Sequence, residues 1–149
     1  FTMEIERKFL VRQLPDDLSQ YPCRLIEQAY LCTDPVVRIR QDNENYYLTY
    51  KGKGLMIREE YNLPLTQKSY RHLLAKADGN IITKRRYVIP YHSRFIELDI
   101  FEGVHKGLCL AEVEFTSETE ALTFQIPDWF GIEVTQNPKY QNSSLSQIS

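Results

Sequence analysis

Residues 3–11 alternate. In an extended strand Glu4, Glu6 and Lys8 share one side, and Ile5, Phe9 and Val11 take the other with Arg7. The same period of two recurs down the chain. Val36 to Gln41 sets Arg38 and Arg40 against Val37 and Ile39, and Tyr46 to Lys51 sets Tyr47, Thr49 and Lys51 against Tyr46, Leu48 and Tyr50. Ile57 to Leu63 aligns Arg58, Glu60 and Asn62, and Asn80 to Pro90 aligns Lys84 and Arg86 with Arg85 turned the other way. Arg94 to Phe101 aligns Phe95, Glu97 and Asp99, and Leu108 to Thr116 aligns Leu108, Leu110, Glu112 and Glu114. Arg24 to Cys32 alternates more loosely, with Gln28 and Tyr30 on one face, and Trp129 to Thr135 reads as a short last strand.

A period near 3.6 replaces alternation in one place. Thr66 is placed to cap a helix running to about Ala77, with Tyr70, Leu73, Leu74 and Ala77 as its apolar stripe. Ser117 to Glu120 has the spacing of a capping box and predicts a second, short helix, and Asn142 to Ser149 predicts a frayed helix or a disordered tail. Two helices among about eight strands predict a mainly β, α+β protein, meander-like and largely antiparallel. No linker or composition shift divides it, so residues 3–149 are expected to form one domain, with Phe1-Thr2 as remnants ahead of a natural start at Met3.

The polar rows allow two architectures. An ordinary sheet would turn them to solvent. A closed barrel of about eight strands would turn them inward, around a space wide enough for side chains or one small ligand. The rows are dense in Glu, Arg and Lys, often paired at i and i+2, where a plain solvent face mixes in Ser, Thr and Gln. Ionised groups in such numbers cannot sit dry, because each costs several kcal/mol to desolvate. The barrel must then be wet inside or hold a highly charged ligand. Carboxylates suit hard divalent cations such as Mg²⁺ or Mn²⁺, and guanidinium and ammonium groups suit phosphate oxygens. A metal–polyphosphate ligand uses both sets at once.

Composition narrows the partners. The 149 residues are 42% hydrophobic and 26% charged, with ten Tyr and seven Phe, as expected of a folded β-rich domain. The net charge of −2 disfavours nucleic acid and acidic membrane surfaces as partners, so any anion site must come from local arrangement. Three cysteines, Cys23, Cys32 and Cys109, without a CxxC spacing, point to a reducing cytoplasm rather than to a zinc site or a disulfide framework. No apolar run approaches the roughly 20 residues of a membrane helix.

The row Glu4-x-Glu6-x-Lys8 resembles the signature of the CYTH superfamily, the triphosphate tunnel metalloenzymes. Val37-Arg38-Ile39-Arg40, Leu48 to Gly52, Arg58-Glu59-Glu60, Lys84 to Tyr87, Glu97-Leu98-Asp99 and Ala111 to Phe115 follow in the order that family shows. So do Trp129-x-Gly131-x-Glu133-Val134-Thr135 and Tyr140-x-Asn142-x-x-Leu145. Each segment alone is weak; in order, over nearly the whole length, they are specific, and the length and opening segment resemble the small bacterial members. The resemblance implies a closed eight-stranded antiparallel barrel, with helices packed outside, that processes a triphosphate with Mg²⁺ or Mn²⁺. Inorganic triphosphatase is the usual activity of small bacterial relatives, and a homodimer is a common state. It implies phosphate binding by Lys8, Arg38, Arg40, Lys51, Arg58, Lys84 and Arg86. It also implies metal binding by Glu4, Glu6, Glu60, Asp99, Glu112 and Glu114, and catalytic roles for Lys8, Tyr30 and Lys84, with Tyr30 paired to Lys8. Asn62 and Asn137 depart from the family pattern, where acids are common, and Arg85 is an extra base. An organic-triphosphate enzyme (an adenylyl cyclase or a thiamine triphosphatase) and a non-catalytic polyphosphate or nucleotide binder remain as alternatives.

Overall fold

The alternating segments form nine strands in a computed structural model that describes residues 2–147. They are β1 (Thr2–Val11), β2 (Cys23–Thr33), β3 (Val36–Asp42), β4 (Asn45–Lys51), β5 (Ile57–Leu65), β6 (Asp78–Tyr91), β7 (Arg94–Glu102), β8 (Cys109–Phe115) and β9 (Phe130–Glu133). Strands β2 to β5 form one antiparallel meander and β6 to β8 another, and β2 pairs with β6 to join them. β1 closes the circle. One edge pairs with β8 from Ile5 to Leu10; the other pairs first with β5 and then with the extra strand β9. The result is a closed eight-stranded antiparallel barrel with one added strand.

Closure explains why charged rows belong inside. Each strand has two faces, and the outer face carries most of the apolar side chains. Phe9, Ile96, Leu98, Ala111, Val113 and Phe115 form an outer core together with Ala121 and Phe130. Ala121 comes from α2 (Glu118–Leu122), and Phe130 from β9. On the opposite wall Ala29 and Ile39 pack under Tyr70 of α1 (Gln67–Leu74). A third cluster includes Tyr30, Val36, Ile82, Phe101, Leu110 and Leu145. It gathers side chains of the inward rows, so part of the interior is apolar.

Several local expectations change in detail. The capping box of α1 is present, with Thr66 and Ser69 bonding reciprocally, but the helix stops at Leu74 and tightens into turns at Lys76 and Ala77. At α2 only half of a box forms. Ser117 accepts from the Glu120 N–H, while the Glu120 carboxylate turns to Thr116 and Arg94. In the tail Asn142–Leu145 is a short helix, α3, and Leu145 and Ser146 are buried. Ile148 and Ser149, also in the tail segment, and Phe1 lie outside the described residues.

Polar contacts from β6 and the turn after β7 hold the tail. Asn80 N–H donates to the Ser146 carbonyl at 2.6 Å, His105 Nε2 lies 2.8 Å from the Leu145 carbonyl, and Lys84 donates to Asn142 Oδ1 at 3.2 Å. Gly79 makes the first contact possible. Its φ is +70°, and a Cβ there would collide with the Ser146 carbonyl. Gly79→Ala is therefore expected to cost about 2 kcal/mol, lowering the melting temperature by roughly 5 °C in a thermal unfolding scan. An unchanged melting temperature would show that the tail does not depend on this close approach.

Candidate active site

The inward rows surround a cavity of about 870 Å³. Of the residues singled out from the sequence, all but Lys84 and Asp99 line it. Strand register explains who meets whom. Lys8 lies across from Glu112 and Glu6 across from Glu114, Glu4 is level with Arg58, and Lys51 is level with Glu60. Arg86 is level with Asp99, and Arg38 with Tyr30.

The acids divide into two groups. Carboxylate oxygens of Glu4, Glu6 and Glu114 all lie within 4.8 Å of one another. Burial first, and then Glu112 and Glu4, push Glu6 up to about 8. Glu114 sits at the exposed side of the group. Loss of water around its carboxylate, then Glu97 and Glu4, raise it to about 7, and Glu4 is raised by burial against the pull of Lys51. Three hard oxygen donors that resist ionisation together fit a divalent cation, which would relieve their repulsion. The other acids already face cations. Glu112 lies 3.5 Å from Lys8 and 3.7 Å from Arg86; burial alone would raise it, but Lys8 and then Arg86 and Lys84 bring it down to about 2. Glu60 is 3.5 Å from Lys51, which also bonds Glu4 at 2.9 Å.

The bases divide too. Lys84 and Asp99 are both 0% exposed and 2.7 Å apart. Arg86 grips the same Asp99 with two bonds of 2.7 and 2.9 Å, so Asp99 is held well below the usual carboxylate range despite its burial. Burial pulls Lys84 down to about 7, with Arg86 and Arg40 adding to it and Asp99 opposing. Lys8 moves the other way. Burial would lower it, but Glu112 and Glu6 outweigh that and keep it a cation. Arg38 and Arg40 rest on neutral groups: Arg38 donates to Thr49 Oγ1 at 3.1 Å and Arg40 to Gln28 Oε1 at 2.8 Å. Arg58 donates to the Gly52 carbonyl.

Sequence reading left Thr49, Gln28 and Asn142 without a role, although each stood on a polar row or in a matched motif. Asn62 links neighbouring positions on one wall, accepting from Thr49 of β4 at 2.6 Å and donating to Glu60 of its own strand at 3.2 Å. Arg85 turns outward to Glu102, and among the described residues no helix is long and apolar enough to cross a membrane.

A model of the CYTH domain matches residues 2–149. An inorganic triphosphatase of Nitrosomonas europaea is 40% identical over 149 residues, covering 96% of this chain and 96% of that one. An inorganic triphosphatase of Acetivibrio thermocellus is 35% identical, covering 95% and 92%. The crystal structure of the inorganic triphosphatase NE1496 superposes with a TM-score of 0.74 at 35% identity, over 100% of this chain and 97% of that one.

Proposed function

The chain belongs to the CYTH domain family, and from that premise we propose that it is a metal-dependent inorganic triphosphatase, splitting tripolyphosphate into pyrophosphate and phosphate. The observation that carries the reading is one cavity lined both by Arg38, Arg40 and Arg58 and by the trio Glu4, Glu6 and Glu114. The relatives named as inorganic triphosphatases support the choice of substrate.

Phosphoryl transfer asks a protein mostly for positioning and charge neutralisation. Arg38, Arg40, Lys51, Arg58 and Arg86 would hold the phosphate chain in line, with Lys84 supporting Arg86 through their shared Asp99. Lys8, protonated and on the cavity wall with Tyr30, would stabilise charge on the leaving phosphate oxygen. Glu4, Glu6 and Glu114 would hold Mg²⁺ or Mn²⁺; Glu112 and Glu60, already facing cations, and the enclosed Asp99 would act through those cations. The ion would supply Lewis-acid neutralisation of phosphoryl charge and acidify an attacking water. Free thiols at Cys23, Cys32 and Cys109 suit a reducing cytoplasm.

Phosphate release from tripolyphosphate, ATP and thiamine triphosphate, each with Mg²⁺, Mn²⁺ or EDTA, tests the proposal. Tripolyphosphate is expected to lead in kcat/KM by at least about tenfold, with turnover lost in EDTA. Tyr46, Tyr47, Leu63 and Pro64 also line the cavity and favour, as a second reading, an organic triphosphate. A lead for ATP or thiamine triphosphate would select it, and turnover unaffected by EDTA would reject the metal.

A further inference from the structure

The cations of the interior differ in what holds them. Lys8, Lys51, Lys84 and Arg86 each have a carboxylate within ion-pair distance. Among the described residues Arg38 and Arg40 have none, although both are buried. Arg40 Nε instead donates to Gln28 Oε1, from a register in which the two residues are directly paired across β2 and β3. A guanidinium can only donate, so the orientation of the Gln28 amide is settled: oxygen toward Arg40, nitrogen away. Gln28 is 0% exposed and is not on the cavity wall, whereas Arg40 is.

A second observation points the same way. Among the described residues the buried side-chain atoms left without a hydrogen-bond partner are Gln28 Nε2 and Arg38 Nε, both donors. An unmet buried donor is costly, and two of them mark this wall of the barrel as short of acceptors. A glutamate at position 28 would have the same shape and would supply one. It would also neutralise Arg40, leaving less charge for an anionic ligand.

We propose that Gln28 is a positioning residue for phosphate binding: its neutral amide aims the Arg40 guanidinium into the cavity without spending its charge. The assignment rests on the triphosphatase reading, and it names a residue outside the ligand-contacting set whose neutrality sets affinity. The expected signature of Gln28→Glu is a divergence between binding and stability. A carboxylate paired with Arg40 should hold the native state at least as well, yet bind tripolyphosphate less well.

The test is calorimetric titration of tripolyphosphate into the full chain in EDTA, with melting temperatures measured on the same samples and turnover with Mg²⁺ measured separately. Gln28→Glu is expected to weaken binding by about tenfold or more with an equal or higher melting temperature. Gln28→Met, which keeps the volume but drops the acceptor, is expected to weaken binding several-fold and lower the melting temperature. Gln28→Glu binding within about twofold of wild type overturns the proposal. So does Gln28→Glu losing affinity and melting temperature together, which would make Gln28 merely structural. Wild-type binding without turnover removes the hydrolase reading but leaves the role of Gln28; no wild-type binding removes both.

Discussion

Glu6→Gln is expected to stop metal-dependent turnover while raising the melting temperature of the metal-free protein at neutral pH. Glu6 stands opposite Glu114 with Glu4 beside them, and its carboxyl is pushed up to about 8, chiefly by burial. An unfolded chain releases this proton near the ordinary 4.5. Between the two values the native state holds a proton that the unfolded state has lost. The contribution of Glu6 to stability is therefore complete below 4.5 and falls away as pH rises toward 8. Glu114 acts in the same sense up to about 7. Lys84, pulled down to about 7, adds stability with rising pH only above that value, so the interval from about pH 5 to about 7 isolates the acids. Glu112 and Asp99, whose values are lowered, lose their contribution only in acid.

In EDTA, wild-type melting temperature should then fall from about pH 5 to about 7, and Glu6→Gln should flatten that slope and melt higher at the upper end. Added Mg²⁺ should stabilise wild type and have little effect on the variant. With a cation ligand removed, kcat/KM for tripolyphosphate should drop roughly 100-fold or more. Melting scans at two pH values and a phosphate-release assay are sufficient. A variant that keeps full activity, or that melts lower than wild type in EDTA near neutrality, would remove the trio as the cation site.

Asp99→Ala is expected to be the most destabilising single change in the barrel interior. It takes one carboxylate away from two buried cations at once, Lys84 at 2.7 Å and Arg86 at 2.7 and 2.9 Å. Breaking a buried pair by removing one partner costs about 3–5 kcal/mol, because the charge left behind has no water to return to. At this chain length that is a fall of roughly 10 °C in melting temperature. Lys84→Met should cost much less, since Arg86 still satisfies Asp99 and Lys84 is pulled toward neutrality. Denaturant unfolding of both variants checks the contrast. Equal losses would overturn the assignment of Asp99 as the hub of the two cations.

Much of the site was visible in the chain itself. Alternation at Glu4-x-Glu6-x-Lys8, Arg38-x-Arg40, Lys84-x-Arg86 and Glu112-x-Glu114 is a local consequence of strand stereochemistry, so it assigns a face to each residue without knowledge of any neighbour. The sign of Lys8 was not visible in this way. Its neighbours in sequence are Glu4 and Glu6, but Glu112, from the far end of the chain, is its ion-pair partner. The tail likewise looked frayed from its serines, because the partners that order it, Gly79, Asn80, Lys84 and His105, are supplied by β6 and the turn after β7.

By itself, then, the order of residues determined the strands, which side of each strand is charged, and the family to which the chain belongs, because periodicity and motif order are carried within short segments. Only the closed structure decided the pairings. It joined β1 to both β8 and β5, gathered the carboxylates of Glu4, Glu6 and Glu114 within 4.8 Å of one another, and buried Asp99 between Lys84 and Arg86. Register between strands distant in sequence is chosen by packing of the outer apolar faces and by barrel closure, and no local segment contains that information.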